Sequence, residues 1–270
     1  MSRIQTTFAA LKQQGKTALI PYITAGDPHP RHTVDLLHTL VSNGADMIEL
    51  GVPFSDPMAD GPVIQRASER ALVHKVGLTA VLEMVKTFRL SNQTTPIILM
   101  GYANPIEAIG PKAFADRAKA ADVDGVITVD YPPEECGEFV QELRSRDIDP
   151  IFLLSPTTEP SRVDLIVSQA SGFVYYVSLK GVTGAANLDI VEVSARVAGI
   201  RKKTSLPVGV GFGIRDAATA KATAAIADAV VVGSRMVQVI EASTDDNLLD
   251  NVAALMTELK TAVDAATKSI

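Results

Sequence analysis

The alternation that decides the fold is clearest in residues 207–240, which read PVGVGFGIRDAATAKATAAIADAVVVGSRMVQVI. Two short apolar runs, Val208–Gly211 and Ala229–Val232, are typical of strands that are buried on both faces. An alanine-rich helix that opens on an aspartate N-cap is predicted between them, at Asp216–Ala225. A short helix is predicted after them, at Ser234–Ile240. The segment therefore predicts a strand–helix–strand–helix order with parallel strands.

The same alternation extends back along the chain. Further apolar runs predict strands at Ala18–Tyr22, Met47–Leu50, Ile97–Gly101, Gly125–Val129, Ile151–Leu154 and Phe173–Val177. Amphipathic segments between the strands predict helices at Pro30–Ser42, Pro62–His74, Thr79–Leu90, Pro111–Ala121, Pro133–Arg146, Ser161–Ala170 and Leu188–Lys202. Thr79 and Ser161 are predicted as helix N-caps. Two more helices, Arg3–Gln14 and Asn247–Thr267, lie outside the alternation.

Eight βα units in 270 residues give roughly 34 residues per unit, which suits a closed barrel. We therefore expect an α/β protein with a (β/α)8 TIM barrel, an extra N-terminal helix and extra helices near the C-terminus. Because no Gly/Ser-rich linker or change of composition divides the chain, residues 1–270 are expected to form a single domain. A doubly wound open sheet is the alternative, but such sheets normally use fewer strands.

The composition excludes several classes of protein. Hydrophobic residues make up 47% of the chain and the net charge is -6, so neither disorder nor a basic surface for nucleic acid is expected. No apolar run approaches the roughly 18 residues of a transmembrane helix, and we expect no signal peptide. The single cysteine, Cys136, cannot form an internal disulfide. We therefore expect a cytoplasmic protein that binds neither nucleic acid nor a membrane.

In such a barrel the functional side chains lie at the C-terminal ends of the strands. Glu49 is one residue from the end of the second predicted strand, where burial would raise its pKa and suit it to proton transfer near neutral pH. A solvated or lysine-paired glutamate at the rim is an equally supported alternative. Asp60 follows in the long loop of residues 51–62. Its spacing before Gly61-Pro62 favours helix capping over a functional role.

Three glycine clusters follow the last three predicted strands: Gly181-Val182-Thr183-Gly184, Gly209-Val210-Gly211-Phe212-Gly213 and Gly233-Ser234. Loops in these positions, together with a short extra helix, form the usual phosphate site of a barrel. Phosphate binding is therefore favoured over the alternative, in which the glycines only form tight turns. No carboxylate–histidine cluster suggests a metal site. Lys180 could form a Schiff base, which is a less favoured alternative.

Residues 48–65, IELGVPFSDPMADGPVIQ, resemble the signature of the tryptophan synthase alpha chain family. Three other parts of the chain resemble the family in the same order: IPYITAGDP at 20–28, GVTGA at 181–185, and VGFGI with VGS at 210–214 and 232–234. The resemblance implies a lyase of tryptophan biosynthesis that cleaves indole-3-glycerol phosphate to indole and glyceraldehyde 3-phosphate. It also implies no metal or cofactor in this chain, and a pyridoxal-phosphate beta chain as partner in an α2β2 tetramer.

The resemblance also assigns roles to individual residues. Glu49 would transfer protons, and Asp60 would be catalytic by accepting a hydrogen bond from the indole N–H. Substrate-binding roles are implied for Tyr22, Met100, Tyr175, Thr183, Gly184, Phe212, Gly213, Gly233 and Ser234. Met100-Gly101 and Leu179-Lys180 depart from the commonest family pattern. Two alternatives stay open: a Schiff-base aldolase that uses Lys180, and a non-catalytic subunit that binds a phosphorylated ligand and regulates a partner.

Overall fold

The computed structural model describes residues 1–177, 190–211 and 213–267, and within them eight parallel strands close into a barrel. The strands are β1 (Ala18–Thr24), β2 (Ile48–Gly51), β3 (Ile97–Gly101), β4 (Gly125–Thr128), β5 (Asp149–Leu154), β6 (Val174–Val177), β7 (Val208–Gly211) and β8 (Ala229–Val232). Each strand pairs with the next, and β8 pairs with β1, where Ala18 lies opposite Ala229. The predicted (β/α)8 barrel is therefore confirmed.

Helices surround the barrel in the predicted order. They are α1 (Arg3–Gln13), α2 (Thr33–Ser42), α3 (Pro62–Val73), α4 (Leu78–Arg89), α5 (Ala103–Glu107), α6 (Pro111–Ala120), α7 (Gly137–Arg144), α8 (Pro160–Gln169), α9 (Ile190–Arg201), α10 (Ala217–Ala224), α11 (Ser234–Ala242) and α12 (Leu248–Asp264). A 3-10 turn at Pro30–His32 precedes α2. The short helix α5 was not predicted.

Several helix starts differ from the prediction. The N-caps predicted at Thr79 and Ser161 are wrong, because each residue lies inside the first turn of its helix. The residues that do precede these helices, Gly77 and Glu159, have extended backbones that redirect the chain. Asp216 does cap α10, and its carboxylate accepts a hydrogen bond from the Thr219 N–H at 2.8 Å.

The helix predicted from Pro133 begins only at Gly137. The preceding residues form a turn in which the Glu135 N–H donates to the Pro132 carbonyl at 3.0 Å. The start predicted at Leu188 for the helix after β6 lies outside the described residues.

Strand alternation decides which side chains enter the barrel. Ile48 and Leu50 pack outwards against the helices in the largest apolar cluster. Met47 belongs to the inner cluster that fills the barrel. Because successive strand residues point to opposite faces, Glu49 points inwards between Ile48 and Leu50.

Helix α1 covers the amino end of the barrel. Ile4 and Phe8 belong to the inner apolar cluster, and the Phe8 ring lies 5.7 Å from that of Phe173. Gly125 provides the space, since a Cβ there would lie 2.9 Å from the Ile4 Cδ1 atom. The predicted site residues that the structure describes lie toward the opposite, carboxyl end, as with Glu49 near the end of β2 and Gly233 directly after β8. Within the described ranges, no helix combines the length and apolar character needed to cross a membrane.

Candidate active site

Glu49 lies at the carboxyl end of β2, opposite Tyr22 of β1 and Ile98 of β3. Only 1% of the residue is exposed, so it is not a solvated rim glutamate. Its Oε2 atom has no hydrogen-bond partner among the described residues. Burial, reinforced by the nearby Asp60 carboxylate, raises the pKa of Glu49 to about 8. The Glu49 carboxyl therefore holds its proton near neutral pH.

Asp60 lies near the end of the loop between β2 and α3, and its side chain makes no capping hydrogen bond to the helix. Its Oδ2 atom accepts a hydrogen bond from the Tyr102 hydroxyl at 2.9 Å. The N-cap of α3 is Gly61, which caps with its extended backbone rather than with a side chain. The capping role favoured for Asp60 by spacing alone is therefore wrong. Burial raises the pKa of Asp60, and the hydrogen bond from Tyr102 partly offsets this rise.

Tyr102, directly after β3, is a site residue that the sequence reasoning missed. Besides donating to Asp60, its hydroxyl accepts a hydrogen bond from the Ala59 N–H at 3.1 Å. Its ring stacks on Phe54 at a centroid distance of 5.1 Å. One hydroxyl thus holds the end of the loop that carries Asp60. Its position at a strand end was the signal that could have identified it.

Two tyrosines, Tyr22 and Tyr175, line the cavity, and each lies against a glycine of the next strand. The Tyr22 hydroxyl hydrogen-bonds the Thr24 Oγ1 atom at 3.0 Å, and a Cβ at Gly51 would lie 2.2 Å from the Tyr22 oxygen. In the same way, a Cβ at Gly211 would lie 2.1 Å from the Tyr175 oxygen. These glycines let both rings lie against the barrel wall. Burial raises the pKa of each phenol, so both stay neutral.

The other end of the cavity is the N-terminus of α11. Gly233 precedes this helix, and among the described residues no side chain caps it at that position. The first N–H groups of α11, beginning with Ser234, therefore lie at the positive end of the helix dipole. Gly213, which has a φ of +76°, lines the cavity beside them. This arrangement is suited to an anion such as phosphate.

These groups share one cavity with a volume of about 70 Å³. Its lining comprises Tyr22, Glu49, Asp60, Ile64, Met100, Tyr175, Gly213, Ile214, Val231, Gly233 and Ser234. Every predicted site residue that the structure describes is in this lining. Ile64, in the first turn of α3, and Ile214 and Val231, near strand ends, were not predicted, because apolar residues in such places resemble ordinary core residues in sequence. The predictions for Thr183, Gly184, Phe212 and Lys180 lie outside the described residues.

A larger groove of about 620 Å³ lies at the amino end, between α1 and the segment before β7. Its carboxylate, Asp228, lies 3.1 Å from the Arg201 guanidinium and is partly exposed. Size alone therefore does not identify the site, because this groove lacks a buried carboxyl in its described lining. The described residues also contain no group of three or more His, Cys, Asp or Glu side chains placed to hold a metal ion.

A buried carboxyl with a raised pKa, a second carboxyl group and a helix N-terminus suited to an anion all lie toward the carboxyl end of the barrel, an arrangement typical of a (β/α)8-barrel enzyme that uses acid–base chemistry. The family model of the tryptophan synthase alpha chain matches residues 8–265. The chain is 64% identical to the tryptophan synthase alpha chain of Chromobacterium violaceum, over 97% of this chain and 100% of that protein. It is 59% identical to that of Burkholderia mallei, with 99% of each chain covered.

The structure of tryptophan synthase subunit alpha from Legionella pneumophila superposes with a TM-score of 0.91 at 44% identity, and 98% of this chain and 99% of that chain are covered. The chain therefore belongs to the tryptophan synthase alpha chain family. It is a lyase that catalyses the alpha reaction of tryptophan biosynthesis, the cleavage of indole-3-glycerol phosphate to indole and glyceraldehyde 3-phosphate.

Proposed function

We propose that the cavity between Glu49 and the N-terminus of α11 carries out this reaction, with Glu49 as the proton-transfer group and Asp60 as the electrostatic partner of the indole ring. The observation that carries the proposal is the burial of Glu49 with an unpartnered Oε2 atom among the described residues. An unpaired buried carboxyl is costly to retain for stability alone. A pKa of about 8 suits it to exchange protons near neutral pH.

The chemistry requires two proton transfers around one broken bond. The bond between indole C3 and the hydroxyl-bearing side-chain carbon breaks, and its electron pair returns to the ring. The neutral Glu49 carboxyl first donates its proton to C3, which makes the ring a cationic leaving group. The Glu49 carboxylate then accepts the proton of the hydroxyl that becomes the aldehyde. Glu49 is thereby restored to its neutral form, and the reaction needs no oxidant or reductant.

Asp60 acts on the charge that the first step creates. In this proposal its carboxylate accepts a hydrogen bond from the indole N–H and stabilises the cationic ring. The hydrogen bond from Tyr102 supports this role, because it favours the ionised form of Asp60 and orients it. Tyr22, Met100 and Tyr175 provide the apolar walls for the ring.

The phosphate of the substrate binds at the opposite end of the cavity. Its oxygens accept hydrogen bonds from the first N–H groups of α11, beside Gly213, Gly233 and Ser234. Gly184 completes this site, while Thr183 and Phe212 contribute to closure and to the ring pocket; these three roles stay predictions from the family resemblance.

We further propose that this chain works without a bound metal or cofactor of its own, as one cytoplasmic domain that pairs with a beta chain in an α2β2 tetramer. A pyridoxal phosphate on the beta chain would use the indole. The loop between β2 and α3 faces the partner in this proposal. Its Met58 is 84% exposed, and an exposed methionine on a loop suits a protein interface. Size-exclusion chromatography with and without a beta chain tests this assembly, and separate elution would contradict it.

The decisive experiment is Glu49→Gln, which keeps the shape of the side chain and removes the exchangeable acid. We expect kcat for indole release to fall by at least ~100-fold, since general acid–base catalysis contributes about that much. Glu138→Gln on the exposed face of α7 is the control and should leave kcat unchanged. If Glu49→Gln keeps most of its activity, the role assigned to Glu49 is wrong.

A further inference from the structure

Four charged side chains tie α3 and α11 together outside the cavity. The side chain of Asp27, just after β1, is 0% exposed, and both its oxygens accept hydrogen bonds from Arg70 of α3, at 2.6 and 3.0 Å. Arg70 also donates to the Oε1 atom of Glu241 of α11 at 2.7 Å. Arg66 donates two further hydrogen bonds to Glu241, at 2.7 and 2.8 Å. We call these four residues the ion-pair cluster.

Both tied helices begin at the cavity. Helix α3 starts at Pro62, two residues after Asp60, and contributes Ile64 to the cavity lining, and α11 starts at Ser234, also in the lining. Between these ends and the Arg70–Glu241 contact, Ala67 of α3 and Val237 of α11 pack together with Tyr22. The two helices therefore contact each other from the cavity to the Arg70–Glu241 hydrogen bond.

Because each helix starts at the cavity, a change in the angle between α3 and α11 moves the residues that line the site. At 1.5 Å per residue, Arg66 lies roughly 6 Å from the start of α3, and the Arg70–Glu241 contact lies roughly 11 Å along each helix from its start. A relative tilt of about 5° over that length displaces the helix starts by about 1 Å, and a displacement of that size can cost about 100-fold in rate. Bidentate arginine–carboxylate pairs suit the task, because their planar geometry restricts orientation as well as distance.

We propose that Arg70 and Glu241 are positioning residues that set the spacing between Asp60 and the N-terminus of α11, and thereby the length of substrate that the site accepts. The inference rests on the proposed function, because it takes the indole ring at Asp60 and the phosphate at Ser234. In indole-3-glycerol phosphate three carbons separate these two groups. The ion-pair cluster thus selects an aromatic ring joined to a phosphate by a chain of that length.

Asp27 and Arg70 alone would anchor α3 to the barrel. Glu241 adds the link to α11, where it accepts from Arg66 and Arg70 together. Glu241→Ala therefore cuts the tie between the helices while Asp27 keeps its cationic partner. Arg70→Lys is the second variant, since it retains a charge beside Asp27 and loses the planar fork that bridges both carboxylates.

The test is calorimetric binding of indole, inorganic phosphate, and indoles that carry a phosphate on a two-, three- or four-carbon chain. We expect the wild-type protein to bind the three-carbon ligand at least ~10-fold more tightly than its two- or four-carbon neighbours, because only that length joins both subsites without strain. In Glu241→Ala and Arg70→Lys this preference should fall below about threefold, whereas the Kd values of free indole and inorganic phosphate should change by less than about twofold.

Glu142→Ala is the matched control. Glu142 pairs with Arg146 at 2.6 Å, and its side chain is 26% exposed against 29% for Glu241, but it lies on α7, outside the cavity lining. The Glu142→Ala variant should prefer the three-carbon ligand to the same extent as the wild type. If the wild type shows no preference for the three-carbon ligand, the proposed placement of ring and phosphate fails. If the wild type shows the preference and both variants keep it, or if the variants weaken all ligands equally, only the positioning role is overturned.

Discussion

The chemistry of Glu49 depends on what surrounds its side chain. The residues that fill the barrel beneath it are apolar, among them Met47, Ile98 and Ile127. Such surroundings disfavour the charged carboxylate, which is why the pKa of Glu49 rises to about 8. Asp60, by contrast, receives a hydrogen bond from Tyr102 that favours its ionised form. Their neighbours thus shift the protonation of two carboxyl groups in one cavity differently, which suits them to the different roles proposed above.

The raised pKa predicts a pH-dependent stability for Glu49→Gln. Between about pH 4.3, where an unfolded glutamate titrates, and about pH 8, the folded protein keeps a proton that the unfolded chain has released. The wild type therefore loses stability as pH rises through this window, by up to about 1.4 kcal/mol per pH unit, and the glutamine variant does not. In urea unfolding at pH 5, 6 and 7, the free energy of unfolding of Glu49→Gln should rise relative to that of the wild type with each increase in pH. A difference that stays constant with pH would contradict the raised pKa.

Tyr102→Phe removes the donor to Asp60. We expect kcat/KM to fall about tenfold, because a hydrogen bond to a charged group contributes about 1.5 kcal/mol or more. Without this donor the pKa of Asp60 should rise further, so the acidic limb of the pH–rate profile should move to higher pH. Tyr131→Phe is the control, since the Tyr131 hydroxyl donates to the carboxylate of Glu107 on the surface. Equal profiles for Tyr102→Phe and the wild type would exclude this role.

Among the elements, β1 and β2 show how adjacent strands cooperate to shape the cavity. Tyr22 needs the bare backbone of Gly51 beside it, and β6 and β7 repeat the arrangement with Tyr175 and Gly211. In both cases the glycine pairs with the residue that follows the tyrosine by two positions: Gly51 lies opposite Thr24, and Gly211 lies opposite Val177. The register of the parallel pairs therefore decides where each ring lies.

Gly51→Ala tests this dependence. The new Cβ would lie 2.2 Å from the Tyr22 oxygen, so the ring must move into the cavity. We expect a stability loss of about 1–3 kcal/mol from overpacking and at least ~10-fold lower kcat, because a displaced wall misplaces the substrate.

Gly199→Ala is the control, since it makes the same substitution at a glycine where the new Cβ has free space. Gly199 lies within α9, and no described atom outside its own helix surroundings lies within 4 Å of a Cβ there. This substitution should stabilise the protein by about 0.5–1 kcal/mol, because alanine favours helix more than glycine does. Full activity in Gly51→Ala would refute the proposed fit of Tyr22.

At the scale of the whole molecule, the two ends of the barrel have different tasks. At the amino end, Asp124 is buried and bonded to both Arg3 at 2.9 Å and Arg89 at 2.6 Å, which anchors α1 to the barrel. Phe8 of α1 fills the space against Phe173. The carboxyl end carries Glu49, Asp60 and the proposed anion site at the start of α11. Packing at one end is thereby separated from chemistry at the other.

Phe8→Ala tests this separation. Truncating a buried phenylalanine should lower the free energy of unfolding by about 3–5 kcal/mol. The folded variant should keep kcat within about twofold of the wild type, because the cavity lies at the other end of the barrel. Denaturant unfolding and an indole-release assay below the unfolding transition measure the two effects. A large fall in kcat in the folded variant would show that the two ends are coupled.

The fold was predictable because each strand of a parallel barrel is buried on both faces and must be apolar along its whole length. Strands Ile97–Gly101, Val208–Gly211 and Ala229–Val232 were predicted with their observed bounds. Helix starts were less predictable. Thr79 and Ser161 have the composition of N-caps, but the backbone turn that ends each preceding loop, rather than the side chain, sets where the helix begins.

The sequence by itself determined the eightfold alternation and the family to which the chain belongs, whereas the inward position of Glu49 was settled only by its burial in the barrel. The alternation and the family depend on local periodicity and on contiguous motifs, which are present in any conformation of the chain. Only the tertiary structure decided that Asp60 turns to Tyr102 rather than to its own helix, and that Arg70 joins Asp27 to Glu241. Such contacts join residues far apart in the chain, so their energies exist only once the barrel has closed.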